Sequence, residues 1–276
     1  MTPAGSKDVV PGVFSRHAAA YRDRLLDAIQ RGEARGRLRI LDLLAVRQGE
    51  RVVDLGCGPG ILTFPLRDAV GAGGLVVGVD VAPGMLVLAR GGAGPNVSLA
   101  RMDMARLAFH DGAFDAAASG HSLQFCPDLD RVLAEARRVL RPDGRFGASV
   151  PLPSPRRDLL DEALDGLLPP ATWLADVQQT RELLSEETSV RSALLRAGFR
   201  RATTERVDEV SRYRDPSELV SKSMGWWAFA GRMEVLPEAE QMRVRVEALG
   251  RLRERLGDGP LEIPGASMVM IASAKH

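Results

Sequence analysis

A chain of 276 residues with 45% hydrophobic and 26% charged residues has the composition of an ordinary globular protein, long enough to bury a full core. Its formal net charge of +1 supplies no field for a polyanion and disfavours a nucleic-acid partner. Cys57 and Cys126 have no neighbouring Cys or His at metal-ligand spacing, which argues against a zinc site; no segment approaches the roughly 20 apolar residues of a membrane helix, so a cytoplasmic protein is expected.

Residues 1–12 read as a flexible tail, broken by Pro3, Gly5, Pro11 and Gly12. From Phe14 to about Leu44 the pattern is helical, in two pieces joined near 32–36, and His17 and Tyr21, four apart, share one face. The stretch VVDLGCGPG, Val52 to Gly60, begins as an apolar, β-branched run suited to a strand buried on both faces. Asp54 follows, and then glycine at every second position. Gly56, Gly58 and Gly60 let the backbone turn sharply and approach a ligand, because no Cβ stands in the way, and Pro59 suits the start of a helix. The turn is neither a Gly-Lys-Ser/Thr phosphate loop nor the G-x-G-x-x-G of dinucleotide sites. An acid beside it would repel a pyrophosphate and suit a cationic amino group, which speaks against an NAD-dependent oxidoreductase.

Further strands are expected near 74–79, 96–100, 113–118 and 144–150, with helices between them. That alternation implies parallel strands with right-handed crossovers, whose ligands sit beyond the carboxyl ends. The glycine turn, Asp80, Asp103 and Ser119 to Ser122 all fall on that edge. After Val150 come a proline-rich connection, helical regions near 159–168 and 186–197, and Gly198 as a helix terminator. Sixth and seventh strands are expected at FRRATTERVDEV and ASMVMIASAK, with about 55 residues between them. This insertion, 211 to about 264, ends in a charged helix over 237–257 that reads as a solvated outer face. The three tryptophans, Trp173, Trp226 and Trp227, lie after the core. They fit either a lid over an apolar pocket or the lid's own small core.

VVDLGCGPG resembles motif I of the class I S-adenosylmethionine (SAM) dependent methyltransferases. The likeness continues in order: LVVGVD ending at Asp80, twenty residues past Gly60; NVSLARMD with Asp103 and Met104; AFDAAASGHSLQF; and LDRVLAEARRVLRPDGRF, similar to the family's "RVLRPGG" turn but with Asp143 for one glycine. It covers Phe14 to Val150 well and the rest loosely. The resemblance implies an α/β, Rossmann-like, doubly wound seven-stranded sheet with the last strand antiparallel, plus N-terminal helices and a helical lid insertion. One domain would span 13–276, its core about 45–210 and 265–276, with lid elements about 13–44, 151–185 and 211–264.

The same resemblance implies SAM as cofactor and S-adenosylhomocysteine (SAH) as product. Asp54, Gly56, Gly58, Gly60, Asp80, Met85, Asp103, Met104 and Ser119 would hold the cofactor, Asp80 on the ribose hydroxyls and Asp103 and Met104 at the adenine. His121 and Tyr21 are the candidate catalytic groups, and His17, Trp173, Trp226 and Trp227 the candidate substrate contacts. No metal is implied. The Asn/Asp-Pro-Pro-aromatic signature of nucleic-acid amino methylation is absent, ASGHSLQF standing in its place, and no acid pair suits a catechol-type magnesium ion. What remains is similar to the ubiquinone and menaquinone biosynthesis type and its natural-product relatives, which methylate carbon, oxygen or nitrogen of small, apolar or aromatic molecules in secondary metabolism. A SAM-dependent reaction of another kind, such as a cyclisation, and a non-catalytic SAM-binding regulator stand as alternatives.

Overall fold

The computed structural model describes residues 5–224 and 227–274. The strands are β1 (Arg51–Leu55), β2 (Leu75–Asp80), β3 (Val97–Arg101), β4 (Phe114–Gly120), β5 (Leu140–Pro151), β6 (Arg201–Tyr213) and β7 (Leu261–Ser273). They make one sheet in the order β3-β2-β1-β4-β5-β7-β6. The first five strands are parallel and β7 runs antiparallel to both its neighbours. The expected doubly wound sheet is therefore present, with its switch point between β1 and β4. The helices are α1 (Ser6–Arg16), α2 (Ala18–Gln30), α3 (Arg35–Leu44), α4 (Thr63–Val70), α5 (Pro83–Arg90), α6 (Leu129–Val139), α7 (Pro155–Ala163), α8 (Gln178–Ser185), α9 (Glu187–Arg196), α10 (Pro216–Met224), α11 (Trp227–Met233) and α12 (Glu238–Leu256).

Alternate strand residues serve opposite faces. Val52, Val76 and Ala116 pack with Ile40 and Leu44 of α3 and Leu66 and Val70 of α4. Val53, Val77, Ala117 and Phe146 pack with Val132 and Leu133 of α6 and Ala193 and Leu194 of α9. Apolar residues on both faces leave the carboxyl edge of the sheet as the place where polar groups gather.

The flexible tail expected over residues 1–12 is corrected: α1 begins at Ser6 and runs through Pro11. Pro11 removes one helical hydrogen bond, but Val10 and Val13 are buried against Phe14, Phe125, Trp173 and Leu174. Asp176 also accepts from the Ser6 backbone N–H at 2.9 Å and from its hydroxyl at 3.0 Å, satisfying donors at the helix start. Tertiary burial outweighs the local breakers. The region from Phe14 onward is likewise divided among three helices, with a break at His17.

β6 and β7 pair over 13 residues each, longer than expected, which shortens the insertion to 214–260. Its helices share a core with α7, including Leu160, Leu164, Leu219, Phe229 and Met233. α12 is not wholly solvated: Val244, Ala248 and Leu252, spaced by four, are buried in that core while the rest of the helix faces solvent.

The start of α3 lies pressed onto β7. A Cβ on Gly36 would stand 2.3 Å from Ser267 Cβ, and the Gly36 N–H donates to Glu209 Oε1 at 2.7 Å. Gly36→Ala is therefore expected to destabilise the protein by about 1–3 kcal/mol, seen as a lower urea midpoint at unchanged m. Gly250→Ala, in α12 with open space around it, is expected to raise the midpoint, by roughly 0.5–1 kcal/mol.

Candidate functional site

Beyond the carboxyl ends of β1, β2 and β4 the loops enclose a cavity of about 420 Å³, roofed by α1 and the short turn at Leu123–Phe125. The glycine turn that follows β1 is pinned by the Val79 carbonyl, which accepts from Gly56 N–H at 2.8 Å and Cys57 N–H at 3.0 Å. Gly56, Gly58 and Gly60 all have positive φ, at 69°, 55° and 95°, where side chains are disfavoured. Their surroundings differ. A Cβ on Gly56 would meet Ser122 at 2.4 Å and one on Gly60 the Phe64 ring at 2.5 Å, whereas Gly58 has nothing within 4 Å and offers bare backbone to the cavity.

Two acids flank that backbone. Asp80 accepts from Gly58 N–H at 2.9 Å and Ala82 N–H at 2.8 Å, and each oxygen keeps acceptor capacity for another donor. Burial raises its pKa above the usual carboxylate value. Asp54 is buried; its Oδ2 accepts from Thr63 Oγ1 at 2.7 Å, and its Oδ1 has no partner among the described residues. Burial, opposed by Thr63 and assisted by the charge of Asp80, pushes Asp54 up to about 7. An unmatched buried carboxylate oxygen is costly. It calls for a donor, preferably a cationic one.

At the β3 end, Asp103 accepts from Ala105 N–H at 2.9 Å and from Lys7 Nζ at 3.0 Å. Partial burial would raise its pKa, but those two donors outweigh it and hold the group below the usual range. Met85 and Met104 line the wall. Cys126, 3.4 Å from the Met104 sulfur, is pushed up to about 12 by burial and is thus a thiol at neutral pH.

The β4 end is different in character. Phe14 stands edge-on to Tyr21 and Phe125, with ring centres 5.4 and 5.3 Å away. Arg37 of α3 donates to the Gly120 carbonyl at 2.8 Å and to Tyr21 Oη at 3.3 Å. His121, at φ 55°, donates its backbone N–H to the Ser149 carbonyl at 2.9 Å and sets Nε2 3.2 Å from Ser267 Oγ. Burial, then the charges of Arg37 and Arg156, hold its imidazole well below the usual pKa, so it is neutral near pH 7.

Of the residues expected from sequence, Tyr21, Asp54, Gly56, Gly58, Asp80, Met85, Asp103, Met104 and His121 line this one cavity. Gly60 lies beneath Phe64 instead. Ser119 is behind the wall, bonded to the Leu55 carbonyl and to Ser122, and it is Ser122 that lines the cavity. His17 turns outward to Glu234, 2.9 Å away, beside Arg16. Trp173 packs with Val10 and Val13 and does not line the cavity. Trp226 lies outside the described residues, as does the side chain of Trp227. Sequence reasoning passed over Lys7, Phe14, Arg37 and Phe125, all in the cavity lining, and placed Ser122 on the ligand edge without naming it a site residue. A signal existed for Arg37: it shares a helix face with Ile40 and Leu44, both fully buried.

Residues 52–144 match the model of a methyltransferase domain. The chain is 43% identical over 122 residues to nocamycin O-methyltransferase of Saccharothrix syringae, covering 42% of this chain and 43% of that protein. It is 35% identical over 156 residues to aklanonic acid methyltransferase of Streptomyces sp. (strain C5), covering 55% of this chain and 69% of that one. The YcgJ protein of Bacillus subtilis shares the fold, with a TM-score of 0.57 at 16% identity over 88% of this chain and 99% of that one.

Asp54 also makes a pH prediction. A carboxyl whose folded pKa is near 7 rather than about 4 contributes stability that is full at pH 4, falls as pH rises to 7 and is flat above. Urea denaturation should show wild-type stability declining from pH 5 to pH 8. Asp54→Asn should remove roughly 2–4 kcal/mol of that decline; an unchanged decline would refute the assignment.

Proposed function

The chain belongs to the class I SAM-dependent methyltransferase family, and we propose that it transfers a methyl group from SAM to a small, apolar or aromatic acceptor in secondary metabolism, as a single cytoplasmic domain whose N-terminal helices and inserted helices form the lid. Among the described residues no helix is long and apolar enough to cross a membrane and no acidic, His or Cys cluster suits a metal ion. The observation that carries the reading is that one cavity is lined together by Asp54, whose Oδ1 has no partner among the described residues, by Asp80 and by the bare backbone of Gly58. These groups fit the cofactor: Asp54 offers its free lone pairs to a cationic amino group, Asp80 has acceptor capacity for hydroxyls, and Asp103 with Met104 suits an amino-bearing heteroaromatic ring.

Bound SAM supplies a methyl already activated by its sulfonium, so the protein need not supply a covalent nucleophile. Its residues have three other tasks. Phe14, Phe125 and α1 exclude water from the cavity, which strengthens every polar contact inside it. The glycine turn and Asp80 fix the donor's position, since in-line displacement tolerates little misplacement. His121, neutral and at the cavity wall, can accept a proton from the acceptor, with Tyr21 as its neighbour on the acceptor side.

Calorimetry with SAM and SAH tests the reading. The wild type is expected to bind both, and Asp80→Ala to weaken binding by about 2 kcal/mol or more, the scale of hydrogen bonds to a charged acceptor. An intact wild type that binds neither ligand would end the methyltransferase reading.

A further inference from the structure

Arg37 is 7% exposed and lines the cavity. Its Nη1 and Nη2 donate to Gly120 O and Tyr21 Oη, neither of them a carboxylate, and its Nε has no partner among the described residues. A guanidinium cannot relieve burial by giving up its proton, and an uncompensated buried charge is strongly unfavourable. Asp54 and Glu209 feel the charge of Arg37, but burial holds both above the usual carboxylate range and neither forms an ion pair with it. His121, its other ionisable neighbour, is neutral. Asp54, Asp80 and Asp103 line the cavity at the ends of β1, β2 and β3, with Lys7 and Arg101 in the same lining, and Arg37 lines it at the end of β4, near enough to Asp54 for its charge to be felt there.

We propose that the acceptor carries an acidic oxygen, bound in its ionised form as a carboxylate or an enolate, and that Arg37, with Tyr21, is the residue that selects it. This rests on the methyltransferase reading above, in which the cofactor fills the cavity at the ends of β1, β2 and β3 and the β4 end, with Arg37, is left to the acceptor. The planar guanidinium fork suits an oxyanion by geometry as well as by charge. The depressed basicity of His121 accords with it: an acceptor that is acidic, and made more so by Arg37, needs only a weak base or none.

The test uses wild type, Arg37→Gln and Arg37→Lys, each saturated with SAH, titrated with two matched pairs of probes. 1-Naphthoate against 1-naphthamide reports on a carboxylate; 2-hydroxy-1,4-naphthoquinone, ionised at neutral pH, against its neutral 2-methoxy ether reports on an enolate. In the wild type at least one anion is expected to outbind its neutral partner by about tenfold or more, and the pair that does so identifies the source. Arg37→Gln should bring that ratio to within about threefold while SAH affinity stays near the wild-type value; Arg37→Lys, which keeps the charge and loses the fork, should give an intermediate ratio. Should Arg37→Gln fail to bind SAH through misfolding, Arg37→Lys against wild type decides. SAH binding with no anion preferred, or a preference that survives removal of the guanidinium, overturns the proposal. Failure of wild type to bind SAH strikes the cofactor reading instead, and this proposal with it.

Discussion

A carboxylate buried at the end of an apolar strand, with one oxygen left unmatched, is the constraint around which this protein is arranged. Asp54 is placed by β1, whose neighbours are hydrophobic on both faces, so water cannot solvate it from within the sheet. Thr63 satisfies one oxygen; the other has no partner among the described residues. The glycine turn leaves room in the cavity that Asp54 helps line. Three positive φ angles reverse the chain above Asp54, Gly56 lets Ser122 come close, Gly60 makes room for Phe64, and Gly58 leaves space for a ligand. The cost of the unmatched oxygen offsets fold stability and favours a cationic ligand, a stability–function opposition common at sites of this kind.

The second arrangement is the cover. α1 is tied to the body at several points of different strength. Val10 and Val13 supply burial, Asp176 caps the helix start, and Lys7 reaches across the mouth to Asp103. At the other end Arg16 and His17 meet Glu234, which lies between α11 and α12. The polar ties are partly exposed and each contributes little, on the order of 1 kcal/mol or less. The cover is thus held separately from the sheet, whose own core lies elsewhere.

The β4 end of the cavity depends on a chain of contacts that begins outside it. Glu209 of β6 accepts from Gly36 N–H and from Ser267 Oγ, and Ser267 in turn meets His121 Nε2. Gly36 allows α3 to approach β7 closely, and the next residue, Arg37, is thereby carried under Gly120. The antiparallel pair β6–β7 thus supports, from behind, Arg37 and His121 at the β4 end of the cavity.

The parallel core and its ligand edge were legible in the sequence, because apolar runs, a glycine turn and acids at strand ends are local patterns with local causes, whereas the strand order was read only from the structure. Nine of the expected site residues share one cavity for that reason: each sits at or just after the end of a strand, or on a helix face that periodicity assigns. The misplaced ones depended on distance in space. Ser119 and Ser122 are interchangeable as a sequence pattern, and only the turn after β4 decides which faces inward. His17 shares a face with Tyr21 on paper, but the helix breaks at His17 itself, which sends the imidazole to Glu234. The first helix looked like a tail because Pro11 and Gly12 disfavour helix locally, whereas the burial that stabilises it comes from residues more than 100 positions away. By itself, then, the sequence determined the parallel core, its ligand edge and the acids on it; tertiary structure alone decided what covers that edge and which charge stands at the end of β4, because covers and buried charges are set by packing between segments that no local pattern links.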